Sequence, residues 1–154
     1  MKYNTGFVFL QKGKRMRCRI KVHWILKYII TLLYACAIFA VSSEDTSSVP
    51  MPPHIDKLIH FGVFSILCSL ICWSLSSAQI WKKSIYKIIL AIVITSLYAA
   101  SDEFHQLFTP NRSADALDWA ADTVGAIVAG FLWYLLANKR YIREEVSTFK
   151  HNTK

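Results

Sequence analysis

Charge is nearly absent from four long stretches of this 154-residue sequence, although the whole chain holds 18 Lys and Arg against 10 Asp and Glu, a net +8. The charges collect instead in the first 22 residues, in short connectors and in the tail. A soluble core with 54% apolar residues would intersperse its charges. This segregation therefore excludes an ordinary soluble domain and points to a bilayer. A cysteine framework is also missing. Cys18, Cys36, Cys68 and Cys72 show neither a disulfide pattern nor a zinc-finger spacing, and three of them sit in apolar stretches as small hydrophobes. No Gly-x-Ser-x-Gly or His-Glu-x-x-His motif supplies a ready nucleophile or metal centre. No nucleic-acid-binding motif accompanies the basic arm, which reads as a topology signal attracted to anionic lipid, with no nucleic-acid partner.

What is present is length. A bilayer core about 30 Å thick needs about 20 apolar residues in a helix, since backbone in lipid must satisfy its own hydrogen bonds. Residues 24–41 qualify, with Lys27 one turn from the end and able to snorkel. Residues 58–75 hold only His60 as an ionisable group, and 117–137 carry Asp118 and Asp122 at their start. Residues 85–100 are shorter, but no Gly or Pro interrupts them until Pro110, so the helix is expected to run on through Gln106. The expected fold is an all-α, four-transmembrane-helix bundle. A basic arm (1–22) precedes the membrane domain (23–138), and a basic tail (139–154) follows it.

Orientation follows from Lys and Arg, which concentrate on cytoplasmic flanks. Seven precede the first span, Lys82, Lys83 and Lys87 flank the second connector, and five lie at or beyond residue 139, whereas the other connectors hold only Lys57 and Arg112. Both termini are then cytoplasmic, and localisation is the cytoplasmic (inner) membrane. All acidic residues except Glu144 and Glu145 fall at the opposite, outward face. Ala35-Cys36-Ala37 would suit a signal-peptide cleavage site, but the apolar run continues past it to Val41.

Three groups of ionisable residues meet at that outward level. Asp56, Lys57 and His60 open the second span, with Asp56 and His60 on one face. Asp102, Glu103, His105 and Gln106 close the third; Arg112, Asp115, Asp118 and Asp122 lead into the fourth. Acids at helix starts are explained by the helix dipole alone. His60 and Asp122 lie about a turn or more inside their spans, where an ionisable group should face protein or water. Six acids against two fixed cations leave negative charge to be met by protons, by charged imidazole, by a metal ion or by a cationic ligand. In the fourth span, Ala121, Gly125 and Ala129, and likewise Asp122, Ala126 and Gly130, form rows of small residues suited to close helix contact.

Ser42-Ser43, Asp56-Lys57-x-x-His60-Phe61, Ser101-Asp102-Glu103-x-His105-Gln106, Arg112, and Asp118 followed by Gly125 together resemble the VanZ-like family of small bacterial membrane proteins. That family is named for an accessory protein associated with resistance to the glycopeptide teicoplanin. The sequence departs from the family pattern at Asp122, where Asn is usual. The resemblance implies a class and a location in the cell envelope rather than a reaction, with antibiotic resistance as the associated process.

Two functions fit these residues best, since four short helices offer a monomer little room for a third, ion or proton conduction. In the first, the outward polar site binds a headgroup, a glycan or a glycopeptide-related ligand through Asp56, Lys57, His60, Gln106, Arg112, Asp118 and Asp122, or serves only to lock the bundle. In the second, an envelope enzyme acts on a lipid-linked or surface glycan with Asp102, Glu103 and His105 as acid/base groups and Arg112 holding an anion. Partners are then membrane lipids and an envelope glycan or lipid-linked intermediate. Metal-ligand residue types are present, but no local spacing demands a metal, so neither metal nor cofactor is assigned. The sharpest expectation is convergence: His60, Asp102, His105 and Asp118 should line one pocket, Arg112 should sit at its rim, and Lys57 or Arg112 should pair with an acid.

Overall fold

A computed structural model describes residues 5–44, 52, 55–76, 84–110 and 112–152, with side chains described at 23–44, 52, 55–76, 85–110 and 112–139. The short connector at 79–83 and Ser47 lie outside the described residues. Four helices follow in order: α1 (Thr5–Ser42), α2 (Ile55–Ser76), α3 (Ser84–Gln106) and α4 (Ala116–Asn152), with no strand among the described residues. Each contains a stretch long and apolar enough to cross a bilayer: His23–Ser42, Ile55–Ser76, Ile85–Gln106 and Ala116–Lys139. All four expected spans are therefore present, and α3 runs through Gln106 as the lack of a helix breaker required. Two helices outrun their spans. The basic arm from Thr5 and the segment to Asn152 are continuous helix, rich in Lys, Arg, Gln and Glu, which form helix readily.

Burial is inverted relative to a soluble protein. Leu32, Leu58 and Leu97 are 65%, 66% and 66% exposed, whereas Thr95 and Asp122 are fully buried. An apolar outer surface around a partly polar interior is what lipid as solvent selects. The chain is thus a multi-pass membrane protein.

Cross-helix contacts fix the directions. Lys27 near the start of the first span reaches Trp73 near the end of α2, its Nζ donating to the Trp73 carbonyl at 3.5 Å and lying 5.0 Å from the indole. Lys27 therefore meets α2, 8% exposed, rather than snorkelling away from protein. Farther along, the Thr31 hydroxyl meets Ser74 Oγ at 2.8 Å, and Tyr34 donates to the Val63 carbonyl at 3.1 Å, so α1 and α2 are antiparallel. Ser96 meets Thr123 at 2.9 Å, and Ser65 donates to the Gly125 carbonyl at 3.0 Å. The end of α1, the start of α2, the end of α3 and the start of α4 consequently share one end of the bundle. α4 packs most extensively on α2 and next on α3, while among the described residues α1 touches only α2 and, slightly, α3.

The small residues of α4 serve these two contacts. A Cβ on Gly125 would fall against the Phe61 carbonyl oxygen and 2.8 Å from Ser65 Oγ; one on Gly130 would lie 2.7 Å from Ile92 Cδ1. Gly125 admits the backbone of α2, and Gly130 admits the side chains of α3.

Candidate functional site

Lys57, the third residue of α2, is the electrostatic centre of the end of the bundle where the polar groups gather. Its ammonium donates to Asp115 Oδ2 and Asp118 Oδ1, both at 2.8 Å, and lies 3.4 Å from Asp56 Oδ2. One cation thus ties the start of α2 to the start of α4. Asp115 also caps α4, its Oδ1 accepting from the Leu117 amide at 2.8 Å. The Lys57 ammonium, with the Leu117 amide behind it, holds the Asp115 carboxyl below the usual carboxylate range. A carboxyl depressed in the folded state contributes stability that is complete above its unfolded value of about 4. That contribution is lost as pH falls through the lower folded value. The thermal midpoint in detergent is therefore expected to drop on acidification below about pH 4, and the drop should shrink in Lys57→Met. An unchanged acid profile in that variant would contradict the pairing.

Behind Lys57 lies a deeper group. His60 Nδ1 stands 3.2 Å from Asp122 Oδ1 and 3.4 Å from Oδ2, with its ring parallel to that of Phe64 at 6.4 Å between centroids. Glu103 reaches across from α3, and its Oε2 accepts the Asp115 amide at 2.9 Å. Its other oxygen, Oε1, is buried without a partner among the described residues.

Beside this group opens a cavity of about 420 Å³ between α1, α2 and α3. Tyr34, Ala37, Ile38, Val41, Ile59, Val63 and Phe64 make its walls largely apolar; Ser42, Asp56, His60, Asp102, Gln106 and Arg112 supply its polar groups. Asp102 Oδ2 lies 3.4 Å from Gln106 Nε2, while Asp102 Oδ1 and Ser42 Oγ are buried with no partner among the described residues. Among the described residues, Arg112 Nε donates to the Glu44 carbonyl, at 3.4 Å.

The expected convergence is met in part. His60, Asp102 and Arg112 line one cavity, and Lys57 pairs with acids. His105 and Asp118 do not line it. His105 turns to α1, its Nε2 3.0 Å from Ser43 Oγ and its ring 4.4 Å from that of Phe39. Asp118 is taken up by Lys57. Glu103 and Asp122 stand behind His60 rather than in the cavity wall. Ser42 and Tyr34 were not singled out as site residues from sequence. Ser42 belongs to the Ser42-Ser43 motif and could have been found there; Tyr34 looks like any aromatic in an apolar span.

Neither a curated protein nor a solved structure gives a match to the chain. The family model described as VanZ/LLP1 matches residues 5–137, taking in every residue of the Lys57, His60 and Asp102 groups. By that match, and in agreement with the resemblance carried by its motifs, the chain belongs to the VanZ/LLP1 family.

Proposed function

We propose that the protein lies in the cytoplasmic membrane with both termini inside, and that its outward cavity binds an amphipathic envelope ligand: a lipid headgroup, a glycan or a glycopeptide-related molecule. The orientation rests on the Lys and Arg asymmetry between the connectors. The binding reading is carried by one observation, the cavity's division into an apolar wall and a polar end with unfilled hydrogen-bonding capacity. At about 420 Å³ it lies within the range of small-ligand sites. Among the described residues neither the Asp102 Oδ1 acceptor nor the Ser42 hydroxyl has a partner, and a buried polar group without one is costly. Arg112 supplies the matching charge for a phosphate or carboxylate.

The alternative, a membrane enzyme acting on a lipid-linked or surface glycan, has Asp102, Glu103 and His105 as its acid/base groups. Of these three only Asp102 lines the cavity, and His105 engages α1, which favours binding over catalysis. Reconstituted protein titrated with a phosphate-headgroup lipid-linked glycan, and separately with teicoplanin, tests both readings. Arg112→Ala and Asp102→Asn are each expected to weaken binding of the true ligand about tenfold, or about 1.4 kcal/mol. Binding unchanged in both variants would overturn the proposal, and a product of altered mass would select the enzyme.

A further inference from the structure

His60, Glu103 and Asp122 come from α2, α3 and α4, and one potential ligand atom from each lies within 4.8 Å of the other two. This is more than an acidic cluster. It contains an imidazole, and Glu103, 6% exposed, carries the buried oxygen Oε1 that has no partner among the described residues. Among the described residues no Lys or Arg pairs with Glu103 or Asp122, because Lys57 is engaged by Asp56, Asp115 and Asp118 and Arg112 reaches Glu44. Two carboxylates therefore stand in a largely buried place with His60 as their neighbour. A dication with a neutral imidazole balances them.

We propose that His60, Glu103 and Asp122 bind a divalent first-row transition-metal ion of the zinc or manganese class. The donor set narrows the choice. One nitrogen and two carboxylate oxygens suit zinc or manganese, whereas calcium takes 6 to 8 oxygens and magnesium keeps most of its waters. Copper(I) and iron–sulfur centres call for soft sulfur ligands, and no cysteine belongs to the group. Zinc–nitrogen and zinc–oxygen bonds of about 2.0–2.2 Å set neighbouring ligand atoms of a tetrahedron about 3.3–3.5 Å apart. The 3.2 Å between His60 Nδ1 and Asp122 Oδ1 is close to that edge. Three protein ligands leave a coordination position open, and His60 also lines the cavity, so the open position falls near where a ligand's oxygen would arrive. Binding of the ion does not depend on what fills the cavity, and it is measured with metal alone.

The test uses untagged full-length protein in detergent, stripped with chelator and titrated separately with zinc and manganese chloride by calorimetry, with elemental analysis after desalting. About one equivalent of one of the two metals is expected to remain bound, and Glu103→Gln and Asp122→Asn should each weaken it at least tenfold. His23→Ala, far from the group, serves as the control and should titrate as wild type. Cobalt substitution of the wild-type protein gives a readout that needs no variant to fold, through visible absorption bands of the nitrogen- and oxygen-ligated ion. Retention below about a tenth of an equivalent, or variants that titrate like wild type, or the absence of those bands, would overturn the site. None of these results bears on lipid or glycan binding, so the two proposals can fail separately.

Discussion

Gly125→Leu is expected to leave little folded protein. The position faces α2 so closely that even a methyl group would meet the Phe61 carbonyl oxygen, and that oxygen belongs to helical backbone that cannot rotate away. Extra methylenes forced into a packed core cost about 1–3 kcal/mol, and leucine adds several at the tightest point of the most extensive helix interface. Gly125→Ala should fall between leucine and wild type. Gly62, where nothing lies within 4 Å of an added Cβ, is the internal comparison. Gly62→Ala should melt like wild type or slightly higher, since alanine is the better helix former. Thermal midpoints in detergent check the series, and a wild-type midpoint for Gly125→Leu would mean that α2 and α4 do not meet there. Because Gly125 lies one turn from Asp122, a milder variant that folds should also separate His60 from Asp122.

An all-or-none outcome is expected for orientation. In a background with the four native cysteines replaced by serine, Ser47→Cys should react with a membrane-impermeant thiol reagent added outside intact cells. Ser84→Cys should react only after permeabilisation. The reason is electrostatic: Lys82, Lys83 and Lys87 cluster around Ser84, and positively charged flanks are retained on the cytoplasmic side. The connector bearing Ser47 has Lys57 as its only nearby Lys or Arg, together with acids. The reverse labelling pattern would invert the protein and turn the cavity toward the cytoplasm.

The spans were legible because lipid imposes a simple rule, a run without charge about 20 residues long. The end of the bundle where the polar groups gather was legible for the same reason, since an up-and-down chain alternates its connectors. What could not be read was the rotation of each helix about its own axis. At the end of α3, with about 100° per residue, Asp102 and Gln106 lie near one direction, His105 falls to one side and Glu103 to the other. Packing turns Asp102 and Gln106 to the cavity, His105 to Phe39 and Ser43 of α1, and Glu103 to α4. Sequence spacing places Asp102, His105 and Gln106 within one turn of each other; the position of α1 separates them. Asp118 is the second example. Its sharing of a helix face with Asp122 is plain from spacing, but Lys57 reaches across and claims it, while Asp122 goes to His60 one turn deeper.

The cavity's walls are unequal in what holds them. α2, α3 and α4 interlock through close small-residue contacts, whereas α1, which supplies Tyr34, Ala37, Ile38, Val41 and Ser42 to the cavity, has no contact with α4 among the described residues. Lys27, Thr31 and Tyr34 bond it to α2, while Tyr98, through the Ala35 carbonyl at 2.7 Å, and His105, through Ser43, bond it to α3. In a bilayer such bonds average about 0.6 kcal/mol each, and lipid tails replace apolar contacts at little loss. Five of them sum to about 3 kcal/mol, a cost that thermal motion meets in less than about one per cent of molecules at any moment. α1 is therefore the wall that yields first, and the way into the cavity that its movement opens runs sideways from the bilayer.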